Sequence, residues 1–135
     1  MAFPEQVTVV IEVPRGGWVK RGADGGVDYV SPVPCPFNYG SVVGHAGADG
    51  DPLDAVVLGP SLAHGDTVTV PVRAVVRFVD AGEVDDKLVC AAAPLRPADR
   101  VLVTGFFVAY GRAKAVAHRL RGRPGATRYL GWEVR

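Results

Sequence analysis

The 135-residue sequence has few cysteines, no long apolar run and almost no net charge, and each shortage excludes a class of protein. Two cysteines, Cys35 and Cys90, cannot make a disulfide framework, so we expect a reduced, cytoplasmic chain. No apolar stretch approaches the roughly 20 residues of a membrane span. Residues 1–14 lack the basic and apolar regions of a signal peptide. A net charge of +1 gives no overall field toward nucleic acid or membranes.

Glycine and proline are abundant instead, with 17 and 11 residues, which disfavours a helical bundle and suits strands joined by turns. Hydrophobic residues make up 48% of the chain, which excludes a disordered protein. A chain of this length ordinarily forms one domain. We therefore expect a single domain over residues 1–135 with one real core.

Runs of β-branched residues indicate strands in the first two thirds of the chain. They predict strands at Val7–Val13, Val27–Val30, Ala55–Leu58, Thr67–Val79 with a break at Pro71, and Lys87–Ala92.

The spacing of apolar residues then changes to three or four, which predicts a helix that ends before Gly122. The predicted apolar face consists of Leu102, Phe106, Tyr110, Ala113, Ala117 and Leu120. The expected fold is mostly β (α+β), a barrel with one main C-terminal helix packed against it.

Acidic residues are concentrated in two short windows, each at the edge of a predicted strand. Seven of the 14 acidic residues lie there: Asp49, Asp51, Asp54, Asp80, Glu83, Asp85 and Asp86. Clustered carboxylates repel one another unless a cation neutralises them. Mg²⁺ takes oxygen ligands and keeps several waters, so few dedicated side chains are enough. The windows therefore favour a magnesium site, with Mn²⁺ as an alternative.

Solvated turns are the simpler explanation of such windows, and they remain open for an isolated Asp-Gly-Asp. Asp54 weakens that explanation because it opens the apolar run AVVLG, where an unpartnered charge is costly. A calcium loop of the EF-hand type is excluded, because its sixth and twelfth positions would be Asp54 and Pro60.

Several short motifs occur along the chain in a fixed order. The motif at 49–54, DGDPLD, resembles D-x-D-P-x-D, the signature of the soluble (family I) inorganic pyrophosphatases. Further similar segments are VVIEVP at 9–14, NYG at 38–40, the segment from Asp80 to Val89, FF at 106–107 with Tyr110, and GW at 131–132. Each is weak alone, but the ordered set extends over nearly the whole chain.

The resemblance implies a five-stranded OB-like barrel, Mg²⁺-dependent hydrolysis of pyrophosphate or a related phosphoanhydride, and several bound metal ions. Metal ligands would be Asp49, Asp54, Asp80 and Asp85, with Asp80 and Asp85 sharing one ion. Asp51 would be the base that deprotonates the attacking water. Phosphate would be contacted by Lys20, Tyr39, Lys87 and Tyr110, and Glu12 would be an outer-shell acid. Bacterial members of this family often form homo-oligomers, but this sequence assigns no interface.

Four positions depart from the family pattern: Gly22, Val27, Cys35 and Gly111 stand where glutamate, arginine, tyrosine and lysine are expected. Two of the expected residues, the arginine and the lysine, are cations that would bind phosphate. Their absence predicts reduced or altered activity. On that basis Val27→Arg and Gly111→Lys should lower the KM for pyrophosphate.

Two other functions stay open at this point. One is a non-catalytic relative that binds metal–phosphate ligands or a protein partner. The other is an OB-type nucleic-acid binder that uses a basic tail, Arg119, Arg121, Arg123 and Arg128. Nucleic acid is the weaker of these, because acidic windows repel a phosphate backbone and no aromatic residues interleave the arginines.

Overall fold

The structure is a computed structural model that describes residues 4–17, 19–21, 27–30, 34–47 and 50–134. These residues form one helix and nine strands. In chain order they are β1 (Gln6–Val13), β2 (Val19–Arg21), β3 (Val27–Val30), β4 (Asn38–Ala46), β5 (Pro52–Val57), β6 (Thr67–Asp80), β7 (Glu83–Val84), β8 (Lys87–Cys90), α1 (Pro97–Leu120) and β9 (Arg128–Val134).

Five strands close into a barrel in the order β1, β4, β5, β8, β6 and back to β1. The β5–β8 pair is parallel and the other pairs of the ring are antiparallel. β9 adds to the second half of β6, and β2 with β3 forms a separate hairpin. The predicted five-stranded barrel with one C-terminal helix is confirmed.

Alternating burial along the strands divides the core into two clusters. One cluster, which includes Val9, Ile11 and Leu88, contains no helix residue and fills the barrel. The other joins the outer wall of the barrel to α1 through Phe78 and Phe107. Each strand therefore presents one row of side chains inward and the next row toward the helix.

The predicted break at Pro71 is wrong, because β6 runs unbroken for 14 residues. Pro71 is the last residue of β6 that pairs with β1, and the pairing with β8 begins at Val72. A proline lacks the N–H group that a ladder needs. It is tolerated here because it lies where the strand exchanges one partner for another.

The helix begins at Pro97, five residues before the predicted apolar face. Proline is favoured in the first turn, where its missing N–H group has no intrahelical partner. The Asp99 carboxylate accepts a 2.9 Å hydrogen bond from the backbone N–H of Arg96, which completes the start of the helix. Of the described residues, none forms a helix with the length and hydrophobicity needed to cross a bilayer.

The predicted apolar face of α1 is only partly correct. Phe106 and Tyr110 pack against the barrel, but Leu102 and Leu120 are 43% and 83% exposed. The buried positions are instead Val103, Phe107, Gly111 and His118. The helix is apolar on two sides, so spacing alone selects no single face.

Gly111 lies where α1 approaches the barrel most closely. A Cβ atom there would lie 3.3 Å from Arg128 Cα, 3.3 Å from Phe78 Cε2 and 3.4 Å from the Tyr129 backbone nitrogen. Two of these three neighbours are backbone atoms of β9, which cannot rotate away. The absence of a lysine at this position therefore has a packing cause, and Gly111→Lys would displace the helix rather than improve phosphate binding.

This contact predicts opposite effects of one substitution at two glycines of the same helix. Gly105→Ala should raise the free energy of unfolding by about 0.5–1 kcal/mol, because its Cβ meets nothing within 4 Å. Gly111→Ala gains the same helix propensity but overpacks at a cost of about 1–3 kcal/mol, so it should be less stable than the wild type. Urea unfolding followed by circular dichroism measures both. Equal stabilisation by the two alanines would contradict the close approach.

Candidate active site

The centre of the site is the ammonium group of Lys87, whose side chain is 1% exposed. Its Nζ donates hydrogen bonds to Asp54 Oδ2 at 2.9 Å and to Asp85 Oδ2 at 2.8 Å. Both carboxylates are partly buried, with 16% and 18% exposure. Three residues predicted from the two acidic windows and the segment after them thus meet at one point.

Strand pairing brings these groups together. In the parallel β5–β8 ladder Asp54 lies directly opposite Lys87, and Asp85 precedes Lys87 by two residues. On the other side of β5, Tyr39 of β4 pairs with Val56. The Tyr39 hydroxyl donates a 2.9 Å hydrogen bond to Asp54 Oδ2. Asp54 therefore accepts from both an ammonium and a phenol.

The residues that flank Tyr39 fix its position. Asn38 is fully buried, and its Oδ1 accepts hydrogen bonds from the backbone N–H groups of Arg15 at 3.0 Å and Leu62 at 2.9 Å. Its Nδ2 donates to backbone carbonyls of residues 57 and 60, so the amide ties two loops to β4. A Cβ at Gly40 would lie 2.0 Å from the Val10 carbonyl oxygen, which only glycine avoids. In the motif NYG, Asn38 and Gly40 thus have structural roles, and Tyr39 between them reaches Asp54.

Asp80 lies at the end of β6 in a second polar group. Its Oδ2 accepts a 2.6 Å hydrogen bond from Lys114 Nζ, and its Oδ1 lies 2.7 Å from His118 Nε2. The hydroxyl of Thr127 lies 3.5 Å from the same Oδ1. Both oxygens of this predicted metal ligand are therefore held by groups of the chain itself.

Burial and charge set the ionisation of the central groups in different directions. Burial would lower the pKa of Lys87, but the charges of Asp54 and Asp85 outweigh it and raise the pKa above its usual range. Burial and the Asp54 charge raise the pKa of Tyr39, which keeps the hydroxyl a donor. Burial also raises the pKa of Asp85, although Lys87 acts against it. The site thus keeps a charged lysine and a protonated tyrosine at neutral pH.

Asp80 differs from Asp85. Burial would raise the pKa of Asp80, but Lys114 and His118 together lower it below its usual range. Asp80 is accordingly a carboxylate at neutral pH whose charge is already compensated by its neighbours.

The other predicted residues are less tightly gathered. Asp51 is exposed in the turn before β5, and Glu12 is partly buried on β1. Tyr110 is partly buried on α1, with its ring centroid 5.3 Å from Lys114 Nζ. Lys20 has its backbone in β2, but its side chain lies outside the described part of the structure, as does the whole of Asp49.

The structure describes only part of the other three positions that depart from the family pattern. Gly22 lies outside the described residues, and the Val27 side chain does too. Cys35 is buried as a free thiol whose pKa burial raises to about 11, so it packs rather than reacts. Cys90 is also a free thiol, with a pKa raised by burial to about 12, so the two cysteines do not pair.

The second acidic window contains one purely structural member. Asp86 Oδ1 accepts a 3.1 Å hydrogen bond from the backbone N–H of Phe78, and its Oδ2 lies 3.2 Å from Arg77 Nε. Asp85 and Asp86 therefore point to different neighbours, and only Asp85 reaches the site.

Sequence reasoning missed Lys114 and His118. A usable signal was present, because Tyr110, Lys114 and His118 are spaced by four and so lie along one side of α1. Lys114 follows Gly111 by three residues, about one turn. The positive charge expected at position 111 is therefore supplied by Lys114, from the next turn of the helix.

The carboxylates fit a divalent cation only in part. Asp54 and Asp85 offer two carboxylates that converge on a single positive charge, a donor set that suits Mg²⁺. Asp80 does not fit, since its oxygens are engaged by Lys114 and His118. Within the described ranges no three acidic, histidine or cysteine side chains group to hold a metal ion.

Comparison with known proteins gives one consistent answer. The sequence profile of the family "Inorganic pyrophosphatase" matches residues 9–102. An inorganic pyrophosphatase of Haemophilus influenzae is 38% identical over 95 residues, which are 64% of this chain and 54% of that protein. One from Gluconobacter oxydans is 33% identical over 96 residues, 65% of this chain and 56% of that one. The matched region thus spans about half the length of these relatives.

Solved structures agree. The crystal structure of an inorganic pyrophosphatase from Thermus thermophilus aligns with a TM-score of 0.78 at 26% identity, covering 100% of this chain and 86% of that one. The one from Neisseria gonorrhoeae gives 0.74 at 28% identity, with 96% and 83% covered. The profile match covers well over half of the chain, and with the barrel and the ordered motifs it shows that this protein belongs to the inorganic pyrophosphatase family.

Proposed function

We propose that this protein hydrolyses inorganic pyrophosphate, or a related phosphoanhydride, to phosphate in a reaction that depends on Mg²⁺. The observation that carries the proposal is the Asp54–Lys87–Asp85 cluster, with the Tyr39 hydroxyl on Asp54, in a barrel of the pyrophosphatase family. Carboxylates for a metal, an ammonium and a phenol for phosphate are the groups that phosphoanhydride hydrolysis requires.

The roles of the metal-side residues follow from their chemistry. Asp54 and Asp85 would hold the metal, with Asp49 as a further proposed ligand. When bound, the metal supplies a water of lowered pKa and neutralises phosphate charge. Asp51 is exposed and ionisable, and in our proposal it accepts the proton of the attacking water. One P–O bond then breaks as the water oxygen forms another, which yields two phosphates. Glu12 would act from the outer shell.

Four hydrogen-bond donors are proposed to contact the phosphate oxygens. Lys87 uses two of its three N–H groups on Asp54 and Asp85 and keeps the third for a phosphate, whereas the Tyr39 hydroxyl would have to turn from Asp54 to donate to it. Tyr110 lies on α1 with its ring 5.7 Å from that of Phe78, and Lys87 Nζ lies 5.7 Å from the same ring; Lys20 is the proposed contact from β2. Donors that are fixed before the reaction stabilise the developing charge without having to reorganise.

A metal titration tests the first half of this proposal. Mg²⁺ or Mn²⁺ should raise the melting temperature, because a ligand that binds only the folded state stabilises it, by about 2.7 kcal/mol at a hundredfold excess over Kd. A double variant, Asp54→Asn with Asp85→Asn, should lose this response when each protein is compared with and without metal. Lys87→Met is added to both the variant and its reference so that no buried ammonium is left unpaired, and circular dichroism first establishes that each protein is folded. Glu5→Gln, an exposed acid at the start of the chain, serves as the control. An equal response in the double variant would show that these acids hold no metal.

Asp51→Asn tests the second half. The amide keeps the size of the side chain but cannot take a proton at any working pH. General-base assistance contributes roughly 10²–10⁴ in rate, so the rate of phosphate release from pyrophosphate should fall by that range. Metal affinity, measured by calorimetry, should change much less than in Asp54→Asn.

Two results would refute the catalytic assignment. Full activity of Asp51→Asn would exclude it as the base. If the wild type releases no phosphate from pyrophosphate, tripolyphosphate or nucleotides with Mg²⁺ or Mn²⁺, the chain is the non-catalytic binder considered above.

A further inference from the structure

Lys114 is the feature that the proposed function leaves unexplained. Its ammonium is 2.6 Å from Asp80 Oδ2, and each of the two side chains is 19% exposed. Asp80 is the residue that family resemblance makes a metal ligand, together with Asp85. A charged group of the chain therefore stands where a metal ion would be expected.

We infer that the ammonium of Lys114 takes the place of the cation that Asp80 and Asp85 would otherwise share. This protein then binds one divalent ion fewer than the family resemblance implies. The inference rests on the proposed function, since it concerns the same metal-binding site. It is argued from three observations on the groups around Lys114.

The first observation is occupancy. Lys114 holds Oδ2 of Asp80, and His118 Nε2 lies 2.7 Å from Oδ1, with the Thr127 hydroxyl at 3.5 Å. A divalent ion would have to displace an ammonium from a short, partly buried ion pair. The gain from binding the ion is then reduced by the loss of that pair.

The second observation is reach. The ammonium of Lys114 is 5.3 Å from the centroid of the Tyr110 ring, which is itself among the proposed phosphate contacts. The Tyr110 ring lies 5.7 Å from that of Phe78, and Lys87 Nζ, which donates to Asp85, lies 5.7 Å from the same Phe78 ring. Lys114 is thus connected through two aromatic rings to the cluster that contains Asp85.

The third observation is rigidity. Gly111 allows α1 to lie against the barrel, and the buried side chain of His118 anchors the following turn. Lys114 lies between them and so projects from a fixed section of helix. Its 2.6 Å ion pair with Asp80 favours the charged form of the amine.

A different role would leave Asp80 available to metal. Lys114 could stand in for the lysine absent at Gly111, swing away from Asp80 and contact phosphate. In that case Asp80 would bind an ion in the wild type, and removal of Lys114 would weaken substrate binding without changing the number of ions.

Counting bound Mn²⁺ separates these roles without reference to activity. Electron paramagnetic resonance of free Mn²⁺ gives the number of ions bound per chain in the absence of substrate. Lys114→Met should bind one ion more than the wild type, because it keeps the length of the side chain and removes the charge. Arg112→Met, an exposed cation on the same helix, should leave the number unchanged.

Asp80→Asn assigns the added ion. In the wild-type background it should leave the Mn²⁺ count unchanged, because Asp80 is already neutralised. Combined with Lys114→Met it should remove the ion that Lys114→Met gained. Circular dichroism and urea unfolding establish that each variant is folded before the ions are counted.

Other outcomes decide against the inference. If Lys114→Met binds as many ions as the wild type, or if Asp80→Asn alone loses one, Lys114 does not replace a metal. These results leave the proposed function intact, because Mn²⁺ still binds at Asp54 and Asp85. If neither the wild type nor Lys114→Met binds Mn²⁺, this inference and the metal-dependent function both fail.

Discussion

A lysine with 1% exposure cannot leave its ammonium unpaired, because removing a charge from water without compensation costs several kcal/mol. Lys87 meets this constraint with two carboxylates, Asp54 and Asp85. The parallel β5–β8 register places the first opposite it, and the turn after β7 brings in the second. A shift of one residue in β8 would point the ammonium into the apolar barrel, and the same shift in β5 would do so to the Asp54 carboxylate. The register of the barrel wall and the geometry of the site are therefore fixed by the same ion cluster.

The helix adds a second constraint on the outer side of that wall. Because Gly111 has no side chain, α1 can approach β9 closely, and the residues one and two turns later then reach Asp80. A lysine at 111 would carry its charge near the site but would hold the helix away. Close packing and a cation at the end of β6 are both achieved only because the cation comes from Lys114.

Much of the architecture could be predicted from the sequence, because β-branched runs and ordered motifs are local signals. The close approaches were not predictable. The lack of space for a side chain at Gly40 depends on the Val10 carbonyl of another strand. The buried face of α1 depends on where the barrel lies. Asp54, Asp85 and Lys87 lie together; the acidic windows pointed to the two aspartates, and the family resemblance added Lys87. Lys114 belongs to neither window, and its link to Asp80 spans 34 residues.

On the inference that Lys114 neutralises Asp80, the remaining charges of the site still favour a divalent ion. Three partly buried carboxylates, Asp54, Asp80 and Asp85, face two ammonium groups, which leaves one negative charge in excess. Asp51 adds another at the exposed edge. That excess lies on the Asp54 and Asp85 side, because Lys114 and His118 both hold Asp80, whereas the single ammonium of Lys87 is shared by Asp54 and Asp85. A divalent ion would therefore gain most where Lys87 alone serves two carboxylates. The unequal distribution of the two lysines leaves the excess negative charge at one end of the site.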